Sequence, residues 1–137
     1  MIAVDTSALL AILQSEAFAE PCKAAIGRES QLVISAGTVA EALIVARLRD
    51  LGPEMARLID VMGFEVIRVI ADSARRIGAA YARWGKGVHP AGLNFGDCFA
   101  YDVARHLGCP LLFVGDDFAR TDVLSALASG ADPVAGP

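Results

Sequence analysis

The chain has 137 residues, 55% of them hydrophobic, and carries 16 Asp+Glu against 12 Lys+Arg for a net charge of −4. That length buries roughly 68% of the unfolded surface around one core, so a single domain over 1–137 is expected and a disordered chain is excluded. The acidic balance argues against a broad basic face for nucleic acid, unless the acids surround a cation that neutralises them.

Ile2-Ala3-Val4 reads as a short buried strand, and Thr6-Ser7 supply capping chemistry for a helix over 7–14. A second helix is predicted over 16–26, stopping at Gly27, and "QLVIS" at 31–35 is the next strand. Val39, Leu43, Ala46 and Leu51 keep near-helical spacing, which predicts a helix from Ala36 to Leu51 closed by Gly52-Pro53. Another helix follows at 54–62.

"FEVIRV" at 64–69 alternates in strand fashion, and "DSARRIGAAYARWG" at 72–85 reads as a helix opened by an Asp/Ser cap and closed by Gly85. "GKGVHPAGLNFG" at 85–96 is rich in glycine and predicts a long, mobile loop of the kind that carries function. A helix at 97–108, a strand at 110–115, a short helix at 123–129 and a flexible tail over 130–137 complete the chain. Strands alternating with helices imply an α/β fold, a three-layer α/β/α sandwich around a mostly parallel sheet.

Cys22, Cys98 and Cys109 are odd in number and widely spaced, so they are expected to be reduced core residues, not a disulfide or zinc framework. Asp5 interrupts the apolar start and no basic segment precedes it, so neither a signal peptide nor a spanning helix is expected. A cytoplasmic protein with no membrane partner is the default.

Ligands of open α/β sheets bind beyond the carboxyl ends of the strands. Asp5 follows the first strand directly, Asp116 and Asp117 follow "LLFV", Asp97 heads the helix after the loop, and Glu41 lies about two turns into the helix after the second strand. If those strands are parallel neighbours, the acids converge. Like charges so placed repel one another unless a divalent cation sits among them. Oxygen donors without histidine or cysteine suit Mg²⁺ or Mn²⁺, and the matching chemistry is metal-assisted hydrolysis of a phosphodiester.

Four segments, "IAVDTSALLAIL", "TVAEALIVARLR", "GLNFGDCFAYDVAR" and "LLFVGDDFARTDV", resemble PIN-domain ribonucleases of the VapC type, the toxin half of bacterial type II toxin–antitoxin pairs. The resemblance covers nearly the whole chain. It implies an acidic Mg²⁺ pocket in which Mn²⁺ can substitute, endonucleolytic cleavage of RNA, a homodimer, and inhibition by a cognate VapB-type antitoxin. Asp5, Glu41 and Asp97 match the first three acids of the pattern, with Asp5 and Asp97 as direct metal ligands and Ser7 as a supporting hydroxyl. Asp117 is favoured as the fourth acid, with Asp116 and Asp122 kept open. An antitoxin arginine is expected in the pocket, because a guanidinium pairs bidentately with carboxylates.

Each residue has an ordinary reading as well. Asp5 and Asp97 suit helix N-caps, Glu41 suits a solvated helix face, Asp116-Asp117 a turn, and Asp122 a cap for the last helix. Arg83, Trp84 and Lys86 are candidates to stack on bases and grip phosphate, while core or dimer packing is the alternative for Trp84. His89 reads as a loop residue, His106 as a helix-end residue that complements the dipole, and Asp102 as a surface or packing residue. "DTSAL" also resembles the metal-adhesion motif of von Willebrand A modules, but Leu9 replaces the second serine, and a haloacid-dehalogenase phosphatase would need an acid where Ser7 stands. The chief alternative is a PIN fold that binds metal or protein without cleaving.

Overall fold

Side chains alternate between the two faces of a β-strand, and this alternation divides the core of the protein in two. The computed structural model describes residues 1–127. Its strands β1 (Ile2–Val4), β2 (Leu32–Ser35), β3 (Glu65–Ile67) and β4 (Leu111–Leu112) form one sheet in the order β3-β2-β1-β4. All three pairings are parallel. Ile2, Val4, Ile34 and Leu112 point to one face, where they join α1 (Thr6–Leu13), α2 (Ala19–Gly27), α3 (Ala36–Leu48) and α4 (Gly52–Met62). Ala3, Val33 and Leu111 point to the other, against α5 (Ala71–Trp84) and α6 (Phe95–Leu107). The result is the expected three-layer α/β/α sandwich.

The strand order reverses direction at β1, with β2 on one side and β4 on the other. Such a switch point opens a crevice beyond the strand ends, because the two following connections leave toward opposite sides. Asp5 N–H donates to the Leu112 carbonyl at 2.9 Å, so the end of β1 is fastened to β4 where the crevice begins. Cys22, Cys98 and Cys109 are buried free thiols. No helix among the described residues is long and apolar enough to cross a membrane.

Three expectations change. The helix predicted at 123–129 is absent over its described part. A short 3-10 turn occupies Phe118–Arg120, and Ser125 then bridges Leu111 in parallel. Leu111 N–H donates to Leu124 O, and Ala126 N–H donates to Leu111 O, each at 2.8 Å. Buried backbone groups on the edge of β4 need partners, and this demand overrides the helical spacing of the side chains. Residues 128–129 and the tail at 130–137 lie outside the described residues.

The loop at 85–96 is not a loose insert. Gly85 bridges Leu93, Ala91 and Leu93 are buried, and Leu93 N–H donates to Trp84 O at 3.0 Å. The last helix before β4 begins at Phe95, with Asn94 as its cap, so Asp97 stands inside the first turn. Asn94 Oδ1 accepts from Asp97 N–H while Asp97 Oδ2 accepts from Asn94 N–H, both at 3.0 Å. That reciprocal pair is a capping box, which satisfies two helix-end donors at once.

Candidate active site

Asp5 is the residue at which β1 becomes α1. Its extended backbone makes it the N-cap, and its Oδ2 accepts from Ser7 N–H at 3.0 Å and from Ser7 Oγ at 2.6 Å. Ser7 Oγ in turn accepts from Val114 N–H at 3.0 Å, so one hydroxyl joins the ends of β1 and β4 across the switch point. Capping and placement of the acid are therefore the same geometry.

The second carboxylate oxygen is the telling one. Asp5 is 3% exposed, and its Oδ1 is buried with no hydrogen-bond partner. Burial pushes this carboxyl from the usual 3.8 up to about 7; the Ser7 bonds oppose the shift, and the charges of Asp97 and Glu41 add to it. An orphaned anionic oxygen in a dry place is unfavourable unless something positive meets it.

Glu41 reaches the same place from α3. Thr6 Oγ1 donates to Glu41 Oε1 at 2.6 Å, which fixes the carboxylate from the residue beside Asp5. Its Oε2 lies against Gly96 on α6, where a Cβ would overlap it. Asp97 follows Gly96 on that helix, and burial lifts its carboxyl from 3.8 to about 6, with Asn94 N–H opposing and the charges of Glu41 and Asp117 adding. Asp117, exposed at the N-cap of the 3-10 turn, is near enough for its charge to act on Asp97. Asp116 is exposed beside it and contributes to neither shift.

The donors fit a hard cation. They are all carboxylate oxygens, two of them belong to acids whose pKa is raised by burial first and by neighbouring carboxylates second, and one oxygen is unsatisfied. Among the described residues no three His, Cys, Asp or Glu side chains are gathered tightly enough to ligate one ion as they stand. A Mg²⁺ site does not require three, since the ion takes one or two carboxylates and keeps several waters.

The model of the PIN domain family matches residues 2–124, nearly the full described length. This chain belongs to the PIN domain family. Ribonuclease VapC42 of Mycobacterium tuberculosis is 42% identical to this PIN domain over 128 residues, covering 90% of this chain and 97% of that relative. The crystal structure of Mycobacterium tuberculosis VapC20, described as a sarcin-ricin loop cleaving toxin, shares the fold with a TM-score of 0.75 at 17% identity, covering 90% and 97% of the two chains. A toxin-antitoxin complex from Klebsiella pneumoniae matches with a TM-score of 0.66 at 20% identity over 89% and 93%.

In this PIN domain, Asp122 does not join the four acids. Its Oδ1 accepts from the Tyr101 hydroxyl at 2.6 Å, and its Oδ2 lies 3.6 Å from both Arg83 and Arg105. Nor does it cap a helix, since no helix follows it among the described residues. Trp84 is 8% exposed, its indole N–H donates to Tyr101 Oη at 2.9 Å, and Arg83 covers its ring at 4.4 Å. Packing, not base stacking, accounts for this tryptophan. Arg83 and Lys86 are exposed and remain open to phosphate.

Asp102, read as a surface or packing residue, is buried and held by a bidentate pair with Arg76 at 2.7 and 3.2 Å. The roles of Asn94 and Gly96, and that of Thr6 toward Glu41, escaped the sequence reading. A signal existed for Asn94, whose spacing of three from Asp97 fits a capping box. None existed for Gly96, whose role depends on a helix passing close to Glu41.

Proposed function

We propose that this chain is a divalent-metal-dependent endoribonuclease, the toxin of a VapBC-type pair, acting in the cytoplasm as one PIN domain. The observation that carries this is the unsatisfied Asp5 Oδ1, on a carboxyl whose pKa the charges of Asp97 and Glu41 help to raise, at the switch point of a fold shared with VapC ribonucleases. Asp5 and Asp97 hold Mg²⁺ or Mn²⁺. Such an ion, when bound, supplies Lewis acidity at a phosphoryl oxygen and makes water more acidic.

The remaining roles belong to side chains. Glu41 Oε1 is occupied by Thr6, which leaves Oε2 to accept a proton from the attacking water and orient it. Asp117 adds a further carboxylate at the open rim of the site. Ser7 fixes the rotamer of Asp5. Water attacks phosphorus in line and the 3′-oxygen leaves, giving a 5′-phosphate and a 3′-hydroxyl; a 2′,3′-cyclic phosphate product would overturn this route.

The partner reading, a cognate VapB-type antitoxin and a second copy of the chain, draws support from uncovered apolar surface. A groove of about 300 Å³ runs from Glu41 between α3 and α6, lined by Ile44, Phe95 and Phe99. Ile44 is 61% and Phe95 72% exposed, a patch that favours a protein partner. The groove opens beside the acids, so a segment lying in it can deliver a cationic side chain to them.

The reading is tested by mapping 5′ ends of total RNA after brief expression of the wild type and of Asp97→Ala, with matched purified reactions containing Mn²⁺ or chelator. Discrete cuts in the wild type alone, lost on chelation, are expected. Identical RNA profiles for the two proteins would instead favour the non-cleaving module.

Gly96→Ala probes the close approach of α6 to Glu41. The new methyl group must displace the Glu41 carboxylate, yet alanine is the better helix former, so the fold loses little. Cleavage is expected to fall about tenfold or more with a melting temperature within about 3 °C of wild type. Single-turnover kinetics beside a thermal melt check both halves.

A further inference from the structure

Asp97 and Tyr101 are four residues apart on α6 and therefore project from one face of the helix. One faces the acidic pocket, and the other reaches the segment that carries Asp117. We propose that Tyr101 and Asp122 form a positioning clamp that sets the separation of Asp117 from Asp97. The clamp rests on the endoribonuclease reading only for its kinetic consequence.

The hydrogen bonds around the clamp are fully used and directional. Trp84 N–H donates to Tyr101 Oη at 2.9 Å, so the phenol has its own proton to give, and it gives it to Asp122 Oδ1 at 2.6 Å. Three parts of the chain meet at one oxygen: α5 through Trp84, α6 through Tyr101, and the post-β4 segment through Asp122. Tyr101 and Trp84 are each 8% exposed, so water competes little for these bonds.

The segment from Asp117 to Val123 is tied together by its own hydrogen bonds. Arg120 N–H donates to Asp117 O at 3.3 Å, Thr121 Oγ1 and N–H donate to Phe118 O at 2.7 and 3.0 Å, and Val123 N–H donates to Thr121 Oγ1 at 3.3 Å. Phe118 is buried against Phe113, with ring centroids 5.3 Å apart. A body so braced has one side chain in the pocket, Asp117, and one in the clamp, Asp122. Releasing Asp122 frees the body to swing about Phe118 and carries the Asp117 carboxylate with it.

Arg83 and Arg105 are the rival explanation for Asp122. Both lie 3.6 Å from its Oδ2 with largely exposed side chains, a geometry in which ion pairs contribute little. The phenol bond is shorter and more buried, so an oxygen acceptor at position 122 matters more than its charge.

The experiment compares Tyr101→Phe, Asp122→Ala and Asp122→Asn with wild type by amide hydrogen exchange in the metal-free protein and by cleavage kinetics. Tyr101→Phe and Asp122→Ala are expected to speed exchange across 115–121 by about tenfold or more, leaving the strands unchanged. They are expected to lower kcat about tenfold with KM unchanged, since Asp117 acts at the reacting centre and not on the bulk of the RNA. Asp122→Asn retains an oxygen for the phenol and is expected to restore both readouts to within about twofold of wild type. Unchanged exchange in Tyr101→Phe, or Asp122→Asn as impaired as Asp122→Ala, would overturn the clamp. If wild type cleaves no RNA, the endoribonuclease reading fails, while the exchange measurements still decide the clamp.

Discussion

Asp5→Asn is expected to lower RNA cleavage on the order of a thousandfold, about 4 kcal/mol of transition-state stabilisation, while making the metal-free protein more stable. The two effects have one origin. Asp5 Oδ2 receives both Ser7 bonds, so the oxygen of an asparagine can take over that position without disturbing the cap. The amide nitrogen then replaces Oδ1, the buried atom with no partner, in a side chain on which the charges of Asp97 and Glu41 act. A like-charge contact becomes a neutral donor facing anions.

The wild-type carboxyl stands at about 7, so at pH 7.5 most molecules carry the buried charge. The full shift corresponds to about 4 kcal/mol of unfavourable ionisation. Because the asparagine leaves its own N–H groups incompletely paired, a gain on the order of 2 kcal/mol is expected. Urea titration at pH 7.5 in chelator measures it, and single-turnover cleavage measures the loss. An inactive variant of lowered stability would mean that Asp5 serves the fold and not a charged site.

How far these features were legible in the sequence depended on whether their causes were local. Ile2-Ala3-Val4 followed by Asp-Thr-Ser shows both a strand and its cap, since each rests on neighbouring residues. The convergence of Asp5, Glu41 and Asp97 was legible one step removed, because parallel strands in an open sheet direct their following residues to one edge. What remained hidden depends on distant partners. Trp84 looks like a base-stacking residue until Tyr101, seventeen positions away, claims its N–H.

Asp122 is alike ambiguous until the same phenol claims its carboxylate, which leaves Asp117 as the acid beside Asp97. The last helix failed for a related reason. Val123, Leu124 and Leu127 offer helical spacing, but the open edge of β4 takes the backbone of Leu124 and Ala126 instead. Side-chain periodicity carries no record of which backbone groups a neighbouring strand will demand.

Protons and the metal ion compete for the same carboxylates, and the competition is expected to give the metal-free protein a pH dependence of stability that saturating metal ion removes. A carboxyl whose pKa is raised by folding binds its proton more tightly when folded than when unfolded. The stability this confers is complete below about 4 and is lost as pH rises, through about 6 for Asp97 and about 7 for Asp5. Metal-free protein is therefore expected to melt at a higher temperature at pH 5.5 than at pH 7.5, and Asp5→Asn should remove most of the difference.

Cation binding runs the other way, because both ligands must shed protons first. With the carboxyls raised to about 7 and about 6, few molecules carry both charges at pH 5.5 and most carry them at pH 7.5. Mn²⁺ affinity measured by calorimetry is accordingly expected to rise about tenfold or more over that interval, with release of protons to the buffer. At saturating Mn²⁺ the ion binds only the folded state and adds stability at every pH, more as the carboxyls lose their protons, so the fall of melting temperature with pH should disappear and the two stability profiles should diverge as pH rises. Parallel profiles, with affinity independent of pH, would place the ion away from Asp5 and Asp97. Diverging profiles would identify the buried charge that weakens the metal-free fold as the charge that holds the ion.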